Sequence, residues 1–291
     1  MTWPIVPNFS FFLQFDDDST TTYNNTDLQT TINIVEKEFQ NVLAWLYANK
    51  LVINLQKTHL MLFTNRKRPQ EITLNVNGSL IHEVNETKFL GIIVDNKLTW
   101  QPHVKYISGK ISKSLSIIRY LRYSFPEKIL KTLYLTLVLP YLMYCNIIWG
   151  AAYDTVLNPL YILQKKSVRT ITKSHYLEHT QPLFLNCKIL TVYQIYDFNC
   201  AKFIFNVLNT NKYPNFKEKL NITQTNHHYN TRGRALLRAP FERLQKCMNS
   251  YFINGIRVWN NVSEFVRKSK SIIILKVRLK NWLFYGKPSN D

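Results

Sequence analysis

The sequence predicts an α+β fold, with short β-hairpins in the first hundred residues and helices through the remainder. Three observations predict it. From Leu51 to Asp95 the apolar residues come in short β-rich runs separated by polar breaks. The pair Asn77-Gly78 falls between two of these runs, and a two-residue hairpin loop requires the positive φ that such residues accept. Beyond Trp100 the apolar spacing changes to that of helical stripes facing a core. At 291 residues the chain is long enough to hold two compact units.

The opening "MTWPIVPNFSFFLQF" is apolar but has no basic stretch in front of it, so it does not read as a cleavable signal. It leads into Asp16, Asp17 and Asp18 and a run of hydroxyl residues. A helix is predicted over "TDLQTTINIVEKEFQNVLAWLYANK". Thr26 with Gln29 forms a capping-box pattern, and Leu28, Ile32, Val35, Phe39, Val42 and Leu46 share one stripe. Asn49 is placed to stop the helix in a left-handed conformation. The β-rich runs that follow are "LVINL", "THLMLF", "EITLNV", "SLIHEV" and "KFLGIIVD", with the Asn-Gly hairpin between the third and fourth. Arg66, Lys67 and Arg68 precede that hairpin, either as a solvated loop or as a phosphate contact.

In "HVKYISGKISKSLSIIRYLRYS" the stripe Val104, Ile107, Ile111, Leu115, Ile118 and Leu121 faces a core. Lys105, Lys110, Lys113 and Arg119 lie mostly off it, which makes this an amphipathic helix with a cationic outer surface. Further helices are expected near 126–139, 155–172 and 191–210. Leu133 to Tyr153 is uncharged and about as long as a bilayer core requires. Pro140 interrupts it and polar residues dilute it, so two buried segments with a break at Pro140 are expected instead. Polar residues and Pro214 place a boundary near residue 212, which divides the chain into 1–100, 101–211 and 212–291. The last part carries Arg232, Arg234, Arg238 and Arg243, then the apolar-basic segment "SIIILKVRLKNWLF".

Charge sharpens the functional reading. Lys and Arg outnumber Asp and Glu 37 to 18, for a net charge of +19. Residues 1–100 hold 8 basic and 10 acidic groups, so residues 101–291 carry the whole positive excess. Such a field attracts polyanions, nucleic acid above all. Cys145, Cys187, Cys200 and Cys247 show neither Cys-x-x-Cys spacing nor a disulfide framework, which fits a cytosolic or nuclear protein rather than a secreted one. His175 and His179 in "HYLEH" would share a helix face but have no third ligand, so a structural role is expected.

An Asp-Asp pair in a turn after an apolar strand can present carboxylates to divalent metal, and hard oxygen ligands suit Mg²⁺. Phe15-Asp16-Asp17-Asp18-Ser19 resembles the F/Y-A-D-D-S/T box of reverse transcriptases from non-long-terminal-repeat retrotransposons of the jockey and related LINE-type clades. "WLYANKLVINLQKTHLMLF" is similar to that family's W-L-x-x-N-K-L-x-L-N-x-x-K-T-x-x-M-x-F block, and "KFLGIIVDNKLTWQPHV" to its F-L-G-I-x-x-D-x-x-L-x-W-x-x-H block. The order matches, and later segments such as "LVLPYLMYCNIIWG" and "HHYNTRGRALLRAP" continue the resemblance.

The resemblance implies the end of a polymerase palm followed by a mostly helical thumb and C-terminal region. It implies Asp17 and Asp18 as metal-binding residues, with Asp17 the direct ligand, and Mg²⁺ as the ion. It implies Lys57 as the general acid toward leaving pyrophosphate, and Phe89, Leu90 and Gly91 as a primer grip. Lys105, Lys110, Lys113 and Arg119 then belong to a thumb that holds an RNA template and DNA primer. Two departures qualify it. Asp16 stands where the family has alanine, and it either adds like-charge repulsion or points to solvent. Nothing before residue 11 matches the family's fingers or its upstream palm aspartate. A truncated piece of a retrotransposon polyprotein, inactive as a polymerase alone, is therefore expected, with a non-catalytic nucleic-acid-binding remnant as the alternative.

Overall fold

Short polar side chains set where the first elements begin and end. The structure is a computed structural model that describes residues 10–15, 18–64, 66, 71–76, 78–224, 236–240, 243 and 245–286. It divides into two compact units, one of Met1–Phe89 with Val94–Lys97 and one of Leu90–Ile93 with Leu98–Asp291.

In the first unit, β1 (Ser10–Phe15) and β2 (Asp18–Tyr23) pair antiparallel, from Ser10 opposite Tyr23 to Phe15 opposite Asp18. They form a two-stranded sheet, and no third strand joins it among the described residues. Helix α1 (Leu28–Ala48) begins one residue later than the capping-box pattern suggests. Asp27 is the N-cap, and its carboxylate accepts from the Thr30 backbone N–H at 2.7 Å. A charged acceptor at the positive end of a helix outcompetes the neutral Thr26 hydroxyl. The stop also shifts: Asn49 has φ −94°, its side-chain amide donates to Trp45 O at 2.8 Å, and Lys50 adopts the left-handed conformation at φ 57°.

Two of the five predicted strands do not form. "LVINL" runs into a 3₁₀ turn at Leu55–Lys57, because the Asn54 side chain accepts from Gln56 N at 3.1 Å and folds the backbone locally. "THLMLF" contributes one bridge, Leu60 to Glu83. The Asn-Gly hairpin forms as predicted. Strands β3 (Thr73–Val76) and β4 (Ser79–His82) meet at Val76 opposite Ser79, which encloses a two-residue loop with Gly78 at φ 86°. Leu74, Val76 and Ile81 are buried on one face of this hairpin, where Val35, Phe39 and Leu43 of α1 pack on them with Leu55 and Leu60. "KFLGIIVD" is two strands, β5 (Glu86–Phe89) and β6 (Ile92–Asp95), which form the third two-stranded sheet.

The second unit is helical. Helix α2 (Gln101–Leu121) buries Val104, Ile107, Ile111, Leu115 and Ile118, the stripe its sequence predicts. Helix α3 (Glu127–Leu137) follows, and then α4 (Leu139–Met143) holds Pro140 in its first turn, where the missing N–H leaves no partner unsatisfied. After α5 (Asn146–Trp149) come α6 (Asp154–Ile171), α7 (Thr180–Asn186) and α8 (Val192–Asn209). The chain continues through α9 (Pro214–Gln224), α10 (Gln245–Met248), α11 (Tyr251–Asn261), α12 (Glu264–Arg267) and α13 (Ile272–Tyr285). Among the described residues no helix is long and apolar enough to cross a membrane.

Helix α8 links two hydrophobic clusters. Its Val192 and Ile195 join the core of α2, α3 and α6, while Ala201, Ile204, Phe205 and Val207 join a core with α11 and α13. Thr191 and Gln194 start α8 with a capping box, and Gln194 also donates to Leu283 O of α13 at 2.7 Å. A buried amide ties α6 into the same region. Gln164 donates to Tyr134 Oη at 2.9 Å and to Leu190 O at 3.1 Å, and accepts from Val192 N at 2.6 Å. Three partners satisfy a side chain that would otherwise oppose burial.

Candidate functional site

The acidic turn is placed only in part. Asp16 and Asp17 lie outside the described residues, and Asp18 starts β2 opposite Phe15. At the far end of the same strand, burial and then the neighbouring Glu38 carboxylate push the Tyr23 hydroxyl up to about 12, against the opposing effect of Thr21. Among the described residues no group of three or more His, Cys, Asp or Glu could hold a metal ion. Lys57 closes the 3₁₀ turn with its side chain exposed. Arg66 is exposed too, whereas Lys67 and Arg68 lie outside the described residues, as do Arg232 and Arg234.

The Phe89-Leu90-Gly91 block is better defined. Phe89 ends β5, and the next two residues turn the chain with φ 44° at Leu90 and 81° at Gly91. Leucine rarely accepts that conformation, so the turn requires support. Within the second unit the support is explicit. Tyr144 donates its hydroxyl to Leu90 O at 2.7 Å, and its ring lies 3.3 Å from where a Cβ on Gly91 would stand. Ile93 N donates to His103 Nδ1 at 3.3 Å.

Those two anchors share a base. Trp149 is fully buried, donates its indole N–H to Tyr144 O at 2.9 Å, and sets its ring 5.6 Å from that of His103. His103 is itself buried, and burial lowers its pKa, so the ring is held neutral. With Nδ1 accepting, its proton resides on Nε2, which has no partner. Sequence reasoning missed this clamp. Its traces are a histidine at the first turn of α2 beside the buried stripe, and a tryptophan in the uncharged segment Leu133–Tyr153.

The basic helix matches its sequence pattern closely. Lys105, Lys110, Lys113 and Arg119 are all exposed, while the apolar stripe is buried. Between Gln101 and Phe125 there are five Lys or Arg residues and no Asp or Glu. This face presents cations without internal neutralisation, the arrangement that draws phosphates. Arg238 and Arg243 of the last segment are also exposed. By contrast, "HYLEH" is not helical. His175 and His179 sit in the loop before α7, and His175 Nδ1 accepts from Leu177 N, so they share no helix face. All four cysteines are free.

The chain is similar to RNA-directed DNA polymerases from jockey and other transposons. It is 24% identical over 190 residues to the "Probable RNA-directed DNA polymerase from transposon BS" of Drosophila melanogaster, covering 64% of this chain and 21% of that protein. It is 24% identical over 180 residues to the RNA-directed DNA polymerase from mobile element jockey of Drosophila funebris, covering 60% and 19% respectively. The jockey polymerase of Drosophila melanogaster is 26% identical over 181 residues, 60% of this chain and 19% of the relative. The chain thus spans about a fifth of the length of the curated relatives it matches. No family model matches it. No solved structure matches it.

Proposed function

We propose that these residues are the palm end, thumb and C-terminal part of a retrotransposon-type reverse transcriptase, and that they grip a template-primer duplex. The observation that carries this is α2, whose apolar stripe is buried while Lys105, Lys110, Lys113 and Arg119 stand exposed with no carboxylate among them. In this assignment residues 1–100 are palm, 101–211 thumb and helical connection, and 212–291 a basic C-terminal region. Asp17 and Asp18 are the Mg²⁺ ligands of the complete polymerase, Lys57 its general acid, and Phe89, Leu90 and Gly91 its primer grip. The partners are an RNA template and a DNA primer, in the cytoplasm or nucleus.

Binding of a labelled RNA–DNA hybrid should weaken steeply with salt, and each of Lys105→Ala, Lys110→Ala and Lys113→Ala should reduce the log–log salt slope by about 1. Salt-independent binding, or none, would sink the proposal. The 291 residues contain no block matching a fingers subdomain or a second palm aspartate, so a polypeptide of these residues alone should not extend a primer. Template-dependent incorporation that Asp17→Ala abolishes would overturn that expectation. A non-catalytic nucleic-acid-binding role predicts the same salt dependence, with binding unaffected when Asp17 and Asp18 are both replaced by alanine.

A further inference from the structure

The outer face of α2 carries more than charge. Tyr106, Lys110, Lys113, Ile117 and Tyr120 follow one another at intervals of four, three, four and three residues, which places them on a single stripe. All five are exposed, and the stripe lies roughly opposite the buried one. It runs ~21 Å along the helix at 1.5 Å per residue. Lys110 Nζ stands 5.5 Å over the Tyr106 ring, so cation and aromatic face share one patch.

At the end of α2 the patch widens. Tyr120 is 85% exposed and Tyr123 83%, and the Arg122 guanidinium lies 5.5 Å from the Tyr123 ring. Arg122 also donates to Ser174 O at 3.1 Å, which fastens the loop after α6 beside the end of α2. A second arginine fastens the other side of that loop: Arg169 donates through Nε and Nη2 to Glu178 O, at 2.9 and 2.8 Å. Between these two anchors Tyr176 projects at 72% exposure, its ring 4.6 Å from that of His175.

These exposed tyrosines offer flat ring faces to a partner, and the charge here says which kind. From Thr155 to Leu177 there are four Lys or Arg residues and, as in Gln101–Phe125, no Asp or Glu. An anionic partner with flat apolar faces meets both demands. Duplex bases are stacked and offer no faces to a tyrosine, whereas unpaired bases do. We propose that Tyr106, Tyr120, Tyr123 and Tyr176 form a stacking track for single-stranded nucleic acid, with the lysines and arginines between them holding its phosphates. This rests on the nucleic-acid reading above and adds to its duplex grip a contact for an unpaired stretch of the same nucleic acid, with the residues that select it. The two arginine-pinned ends hold the Tyr176 loop in place before binding, which reduces the ordering cost.

The test is fluorescence anisotropy of the full chain with labelled oligo(dT) and with a blunt duplex of equal length, at matched salt. Because the tyrosines are exposed, replacing them leaves the core intact, and circular dichroism and melting temperature check this. Tyr120→Ala/Tyr123→Ala/Tyr176→Ala should weaken oligo(dT) binding by about tenfold or more while the duplex changes by less than about twofold. The corresponding phenylalanine variant should retain single-strand binding, since the ring rather than the hydroxyl stacks. Unchanged oligo(dT) binding by the alanine variant overturns the track, and if Lys105→Ala still weakens the duplex, the basic-helix reading survives it. Equal loss on both probes also overturns it, because the patch would then be a general contact. Absence of binding to either probe by the unmodified chain overturns both proposals, leaving an acidic protein as the partner the surface fits.

Discussion

The two units differ most in how much hydrophobic support each gives to its distinctive residues. Among the described residues the first unit clusters three buried side chains, Leu74, Val76 and Ile81, beneath one face of α1. The second builds one cluster of 19 buried residues and another of 13, joined through α8. The acidic hairpin thus belongs to the thinly cored unit, whose sheets each have two strands, an arrangement that is marginal without further packing. The cationic helix belongs to the densely cored one. Charge display on α2 is inexpensive because its opposite face is anchored in the larger core.

The sharpest break in this comparison comes from removing an anchor of the second unit. Trp149→Ala should destabilise it by about 3–5 kcal/mol in urea unfolding, as expected for a buried tryptophan. It should also release both Tyr144 and His103, since the indole donates to one and packs on the other. Gln164→Leu keeps the volume but orphans Tyr134 Oη, Leu190 O and Val192 N, with an expected loss of about 2–3 kcal/mol. The same method reads it. Leucine truncations then compare the two units directly. Leu160→Ala, at a fully buried site in the larger cluster, should cost about 4 kcal/mol, and Leu74→Ala about 2 kcal/mol, because the small cluster collapses more easily around the gap. Equal losses would show that the units are equally well packed.

A pH series separates the clamp from bulk packing. Burial lowers the His103 pKa, so the folded state binds fewer protons there than the unfolded chain does. Stability from this site is fully present above the unfolded pKa of about 6.5 and is lost as pH falls from there through the depressed folded value. Thermal unfolding should therefore show a melting temperature that falls between pH 7.5 and 5.5. In His103→Asn the fall should be smaller, and an unchanged pH profile would remove His103 from this role.

Much of this was legible in the sequence, for a physical reason. Core-facing stripes such as Val104, Ile107, Ile111, Leu115 and Ile118 recur at helical spacing over many turns, and one strong periodicity fixes both the element and its buried face. Gly78 was legible because a two-residue loop leaves few residues able to fill it. "LVINL" misled because a single local contact, Asn54 to Gln56 N, outweighs the weak strand preference of five residues. "KFLGIIVD" misled because the turn within it places a leucine at positive φ, which no local preference announces. Tertiary contacts hold that leucine there, and sequence spacing carries no record of Tyr144 reaching back across 54 residues.

That long-range contact gives the smallest expected effect and the most selective one. Tyr144 is exposed over about half of its surface, so its hydroxyl trades a bond to water for the bond to Leu90 O. Tyr144→Phe should then cost only about 0.5–1 kcal/mol of global stability. The ring remains against Gly91, and steric support for the turn persists. Hydrogen exchange should respond where stability barely does, because Leu90 at φ 44° is released from its tether. Amides of residues 90–93 should exchange faster in the variant, while those of α2 and α6 should not change. Faster exchange throughout the second unit would mean that Tyr144 supports the core as a whole and not this turn in particular.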